Sequence, residues 1–308
     1  MIANPQHPNG RDGRSPDWRT LAAALTSLCL WSSAFVGIRA ASRELSAGSL
    51  ALGRLLIGTA LLGLLVAREG VTRPTPRHAG LLAVAGLLWF GAYNLTLNTA
   101  ERTLDAGTAA MIINITPLLV MLLAGLFLRE RLTPALLLGG AIACFGVTII
   151  GLSGGLRSAS LWGVLTCVMA TLAAAGGLVA QKAVLSRLSA LQVTWTCCAI
   201  GAASCLPFAP SLVRDVRHAS PTAIAWMGYL GIMPTSVAFT SWAYALSRSS
   251  ASRLAALVYL VPPLTIGLSW LTLGEVPRVA ALAGGALCLA GVVVARSNPK
   301  PAAHVAAT

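Results

Sequence analysis

A few polar and aromatic side chains lie inside otherwise apolar stretches of this chain, and their types suit reversible recognition of a solute rather than bond-making. Asn94 and Asn98 are four residues apart, as are Thr240 and Tyr244; in a helix that spacing puts each pair on one face. Asn114 stands three residues before Pro117, and Tyr259 three before Pro262. Proline removes a backbone hydrogen bond and frees carbonyls, so both side chains sit beside expected hinge or gate points. Trp31, about a dozen residues into its apolar run, and Trp242 add large ring faces. These eight polar and aromatic residues are the expected substrate-binding set, although Asn and Thr in apolar helices also serve to bond a neighbouring helix.

The charged residues read differently. Arg54 is the one basic residue well inside an apolar run. It could pair with backbone carbonyls or draw in a carboxylate, but reaching outward to the polar surface is easier, and that is the expectation. Glu130 and Glu275 end their runs beside Arg129, Arg131 and Arg278, which points to a structural role at a helix end. No Asp, Glu or His falls in the middle of a run, so the expected path has neutral walls, suited to a zwitterionic or uncharged solute. No HExxH, GxSxG or DxD-like pair occurs, and the seven cysteines lie singly or as Cys197-Cys198 in apolar stretches without CxxC spacing. No catalytic residue, metal or cofactor is expected.

The elements that must position these residues follow from composition. Of 308 residues 56% are hydrophobic and 10% charged, too little polar surface to coat a soluble body. A hydrocarbon layer takes roughly 20 apolar residues per helix. Ten runs fit, near 20–38, 48–67, 79–99, 106–128, 133–153, 160–181, 190–209, 222–246, 252–273 and 279–296. The runs are long, rich in Leu and Ala, and without period two, so an all-α membrane fold is predicted. Residues 1–19 read as a disordered cytoplasmic tail and 297–308 as a second one. The first run, followed by many others, reads as a retained helix rather than a leader.

The net charge of +13 is spread singly and in small groups between runs, which speaks for membrane topology over nucleic acid. With the N-terminus inside, fourteen basic residues fall on the cytoplasmic side and seven on the other, so both termini are expected inside. An internal repeat recurs at an offset of 145: Pro117 with Pro262, Glu130 with Glu275, Gly139-Gly140 with Gly284-Gly285, Gly146 with Gly291, and Ala100 and Ala110 with Ala245 and Ala255. Each unit holds five runs, 20–153 and 160–296, and an odd count inverts the second copy across the membrane. The glycines mark the last helix of each copy as the seam between halves or as a homodimer surface.

The residues Trp31-Ser32-Ser33-Ala34-Phe35, Arg54, the run Ala109 to Pro117 closed by Leu128-Arg129-Glu130-Arg131-Leu132, and the second copy ending Leu273-Gly274-Glu275 resemble EamA-type transporters of the drug/metabolite transporter superfamily. The resemblance covers about residues 20 to 296. It implies cytoplasmic termini and export of amino acids, nucleobases or other small metabolites across a bacterial inner membrane. The helix-1 motif is worn down to Ala174-Ala175-Gly176-Gly177 in the second copy, and Arg129 replaces the usual small residue. The function expected is a secondary transporter working by alternating access, with a passive channel or a non-transporting membrane scaffold as alternatives. Its partners are a small-molecule substrate and the bilayer.

Overall fold

The structure is a computed structural model that describes residues 17–102, 112–130, 132–154, 161–273 and 279–296. Glu275 and nearly all of both tails lie outside them. Every element among the described residues is helical. Chain order gives α1 (Trp18–Ala41), α2 (Ala47–Glu69), α3 (Pro76–Ala100), α4 (Thr116–Phe127), α5 (Pro134–Gly154) and α6 (Leu161–Val184). Then come α7 (Ala190–Ser204), α8 (Ala209–His218), α9 (Pro221–Arg248), α10 (Ala251–Val258), α11 (Val261–Leu273) and α12 (Val279–Arg296). Without water to bond, backbone at membrane depth must close its hydrogen bonds internally, which is why apolar sequence of this kind has to be helical.

Hydroxyl caps set where helices begin. The side chains of Ser46, Thr75, Ser189, Ser220 and Ser250 accept from the backbone N–H three residues on, starting α2, α3, α7, α9 and α10. Pro76 and Pro221 follow two of these caps, a first-turn position where the missing N–H has no partner to lose.

Among the described residues, five helices are long and apolar enough to cross a membrane: Trp18–Ile38, Ala47–Glu69, Pro76–Ala100, Leu161–Val184 and Pro221–Arg248. Other expected spans are broken. α7 and the stretch Leu206–His218 meet at 52°, at a turn over Leu206–Phe208 that contains Pro207. The runs expected at 106–128 and 252–273 do not continue through their prolines. Turns at Asn114–Ile115 and Tyr259–Leu260 precede α4 and α11, so Pro117 and Pro262 occupy first turns rather than helix interiors.

The repeat read from sequence returns as geometry. Seven-residue π-helical turns interrupt α3 at Gly86–Ala92 and α9 at Gly231–Val237, and 231 − 86 and 237 − 92 both equal 145. The breaks at Asn114 and Tyr259 keep the same spacing, 259 − 114. A Cβ on Gly139 would come 2.4 Å from Gly291 O, and one on Gly146 2.5 Å from Gly284 O. Gly291 and Gly284 are the offset partners of Gly146 and Gly139, so the contact is reciprocal. Midway, Cys288 Sγ bonds the carbonyl of its own counterpart Ala143 at 3.5 Å. α5 and α12 therefore cross antiparallel about a local pseudo-twofold, and these glycines are used within the chain.

Candidate functional site

The π turns matter because they aim the largest side chains inward. Trp89 and Phe90 lie in the first turn, and Phe239 and Trp242 follow the second. With Trp31 of α1 they form one cluster: Trp31 lies 5.0 Å from Trp242 and 5.3 Å from Phe239, and Phe90 lies 4.5 Å from Phe239, ring centre to ring centre. A π turn fits one extra residue and leaves carbonyls without the usual helical partner, and such turns are common at functional sites. Here Thr235 Oγ1 and Ser236 Oγ donate five residues back, to Leu230 O at 2.8 Å and Gly231 O at 2.9 Å.

A cavity opens beside this cluster, walled by α1, α2, α3, α4, α6 and α9 and by the α10 to α11 junction. Its free volume is about 110 Å³, several times the roughly 10–15 Å³ that a single water needs. Trp31, Asn94, Asn114 and Trp242 of the expected set line it. Asn94 gives its amide N–H to Phe90 O at 2.8 Å, which leaves the oxygen to face the cavity as an acceptor.

The other four expected residues sit elsewhere. Asn98 is buried and gives its amide to Ala47 O at 3.3 Å, tying α3 to the start of α2. Tyr244 lies under the Arg248 guanidinium, 3.8 Å from ring centre to Cζ. Thr240 Oγ1 and Tyr259 OH are buried without a hydrogen-bond partner, away from the cavity lining. A larger recess at Ser33, Trp226, Tyr229 and Leu268 carries no charge, and its polar pair is already closed, Ser33 Oγ to Tyr229 OH at 2.6 Å.

Two expectations change. Arg54 does not reach the surface: it is 4% exposed, lines the cavity, and its Nε donates to Thr235 Oγ1 at 3.0 Å. The cause is helix contact. A Cβ on Gly231 would stand 3.0 Å from Arg54 O, and one on Gly58 2.9 Å from Thr235 Cγ2, so α2 and α9 approach closely enough to enclose the side chain. The wall is therefore not wholly neutral. Trp89, Tyr93 and Phe239, also in the wall, were outside the expected set. The sequence signal that could have found Trp89 and Phe239 is their closeness to Gly86 and Gly231, which share the repeat offset.

Glu130 has the structural place expected. Its carboxylate accepts from Ala251 N at 2.8 Å and from Ser252 N and Oγ at 2.9 and 2.7 Å, closing the N-terminus of α10 from the end of α4. Lys182 Nζ donates to Leu246 O and Ser249 O at 2.5 and 2.6 Å. The two charges thus hold either side of the same α9 to α10 corner. No cluster of metal-ligating side chains occurs among the described residues.

Comparison with known proteins agrees with this picture. The EamA-like transporter family profile matches residues 18–152 and again 161–297. A "Probable terminal-alkyne amino-acid exporter" of Streptantibioticus cattleyicolor is 35% identical over 88% of this chain and 91% of its own length. The "Uncharacterized transporter YdfC" of Bacillus subtilis is 32% identical over 85% and 86%. A solved crystal structure, 21% identical, superposes with a TM-score of 0.74 over 90% of this chain and 96% of that one, which shows a shared fold. With two family repeats on one helical membrane chain, the protein belongs to the EamA-like transporter family.

Proposed function

We propose that this protein is a secondary transporter that exports small amphiphilic metabolites, amino acids among them, across the bacterial inner membrane by alternating access. The observation that carries the reading is one cavity, lined by Trp31, Asn94 and Trp242, between two π-turned helices at equivalent places in the two repeats. Weakened helix segments flanking a shared cavity are where a carrier bends. Support for the substrate class comes from the cavity's size and mixed aromatic and amide wall, and from the amino-acid exporter name carried by the Streptantibioticus relative.

The same reading takes the chain as ten spans in two inverted halves, 20–153 and 160–296, with both termini cytoplasmic. The reciprocal antiparallel crossing of α5 and α12 is what a two-fold in the membrane plane requires. An Ala302→Cys variant in intact cells should react with membrane-impermeant maleimide only after permeabilisation. Labelling without permeabilisation would overturn the orientation.

Purified protein in liposomes, given a panel of amino acids and nucleobases, should show saturable flux and counterflow of at least one solute. Flux that never saturates would assign a channel. No flux under any gradient would leave a membrane scaffold.

A further inference from the structure

Arg54 holds a charge inside the cavity wall that the transport reading alone does not explain. Burying a guanidinium costs several kcal/mol unless it is paired. Its Nε–H is spent on Thr235. Among the described residues, no carboxylate lies within 4.0 Å of it, and its two terminal nitrogens make no hydrogen bond. Glu101 acts on it electrostatically from beyond ion-pair distance. The counterpart of Arg54 at the repeat offset is Ala199, so the charge belongs to one half only and is no requirement of the symmetric fold.

Two neighbouring polar groups share its sense. Trp31 Nε1 and Trp242 Nε1 are buried in the same wall without a partner, and an indole nitrogen can only donate. Amide oxygens in the wall come from Asn94 and Asn114. A wall with an unspent guanidinium fork is complementary to a group with several acceptor lone pairs, and a carboxylate accepts two parallel N–H bonds from such a fork.

We propose that Arg54, held in orientation by Thr235, is the carboxylate anchor of the transport cavity, and that the substrate is a small α-amino acid rather than a carboxylate-free amine, amide or nucleobase. The ammonium then meets Asn94 Oδ1 and the ring faces of Trp31 and Trp242, and the side chain fills the apolar space at Leu97, Leu178 and Val261. This rests on the transport reading and adds the chemical group that is recognised.

The test compares L-norvaline with L-norvalinamide, which differ only at the carboxyl group and fit the cavity's size. Each is measured by counterflow in liposomes and by ligand-induced thermal stabilisation in detergent. Wild type should prefer norvaline at least about tenfold in half-saturation, the scale of charge-assisted hydrogen bonds. In Arg54→Gln that preference should fall to near one, and in Arg54→Lys, which keeps charge without the fork, it should fall in between. Thr235→Val should weaken norvaline selectively, which loss of folding alone would not do. Equal handling of the two solutes by wild type, or an unchanged preference in folded Arg54→Gln, overturns the anchor while transport stands. That first arm decides even if the Arg54 variants fail to fold. If wild type neither moves nor binds any solute of the wider panel, the transport reading falls and the anchor with it.

Discussion

Removing the Glu130 carboxylate should loosen the corner where α9 turns into α10, without touching any proton pathway. Three donors converge on it at 2.7 to 2.9 Å, Ala251 N, Ser252 N and Ser252 Oγ. The two backbone N–H groups belong to the first turn of α10, where no intrahelical acceptor exists. A charged acceptor at a helix start contributes about 0.5–2 kcal/mol as a cap, and an N–H left without a partner costs about 1–3 kcal/mol where water is excluded. The site is partly buried, so Glu130→Ala is expected to destabilise by about 2–3 kcal/mol. Glu130→Gln keeps one acceptor but turns an NH2 toward the Ser252 donors, and should lose about half as much. Thermal denaturation of the detergent-solubilised protein, followed by fluorescence-detected size exclusion, reads the order wild type, Gln, Ala. Saturable flux in folded Glu130→Gln should keep whatever dependence on the proton gradient the wild type shows. A Gln variant that melts like wild type but has lost coupling to protons would refute the structural assignment and make Glu130 a proton carrier.

Three further outcomes follow from the structure. Gly139→Ala should destabilise by about 1–3 kcal/mol, because its Cβ would come 2.3 Å from Ala295 N, a backbone atom; Gly140→Ala, facing Leu118 Cδ2 at 3.1 Å, should melt closer to wild type, and equal melting of the two would discount the seam. Arg129 has φ 55° in a turn closed by Glu130 N to Ala124 O at 3.2 Å, so Arg129→Gly should raise stability by about 0.5–1 kcal/mol; a fall in melting temperature would contradict this. The Glu44 carboxylate is held below its ordinary value of 4.5 by the Ser220 N–H and then by the Ser220 hydroxyl. A lowered folded value means the ionised form stabilises, fully above 4.5 and progressively less as pH drops through the folded value. The melting difference between wild type and Glu44→Gln should therefore be present at neutral pH and shrink below 4.5, and a difference constant through that range would discard the bond.

Much of the helix layout is legible in sequence because bilayer thickness imposes it. The runs expected at 48–67, 79–99 and 222–246 return as Ala47–Glu69, Pro76–Ala100 and Pro221–Arg248, with ends fixed by Ser46, Thr75 and Ser220 as caps. What sequence distance does not carry is rotation about a helix axis. Arg54 stands close enough to the end of α2 to reach out, and only the contact of Gly58 and Gly231 across α2 and α9 decides that it turns inward. Asn98 and Asn94 share a face of α3, yet the interrupted turn upstream and the start of α2 give one to a helix contact and the other to the cavity. The expectation of neutral walls failed on the same point, since it counted acids and histidines along runs and set Arg54 aside.

The π turns show why the repeat says more than either copy. Gly231–Val237 contains Pro234, which by itself accounts for a lost helical bond, but Gly86–Ala92 contains no proline. Two unrelated causes would not fall at one offset. What the copies share is the opening glycine, and each presses a neighbouring backbone. A Cβ on Gly86 would stand 2.9 Å from Cys197 O of α7, and one on Gly231 3.0 Å from Arg54 O of α2. Close approach between the third helix of one copy and the second of the other is thus a condition of the duplicated fold. The widened turn then carries Trp89 in one copy and Thr235 in the other to the centre. Divergence after duplication left the frame symmetric and made its contents unlike, aromatic on one side and hydroxyl on the other. The hydroxyl side can accept a hydrogen bond from a guanidinium, and Arg54 finds Thr235 across the repeat boundary, a charged contact at the centre of an apolar chain.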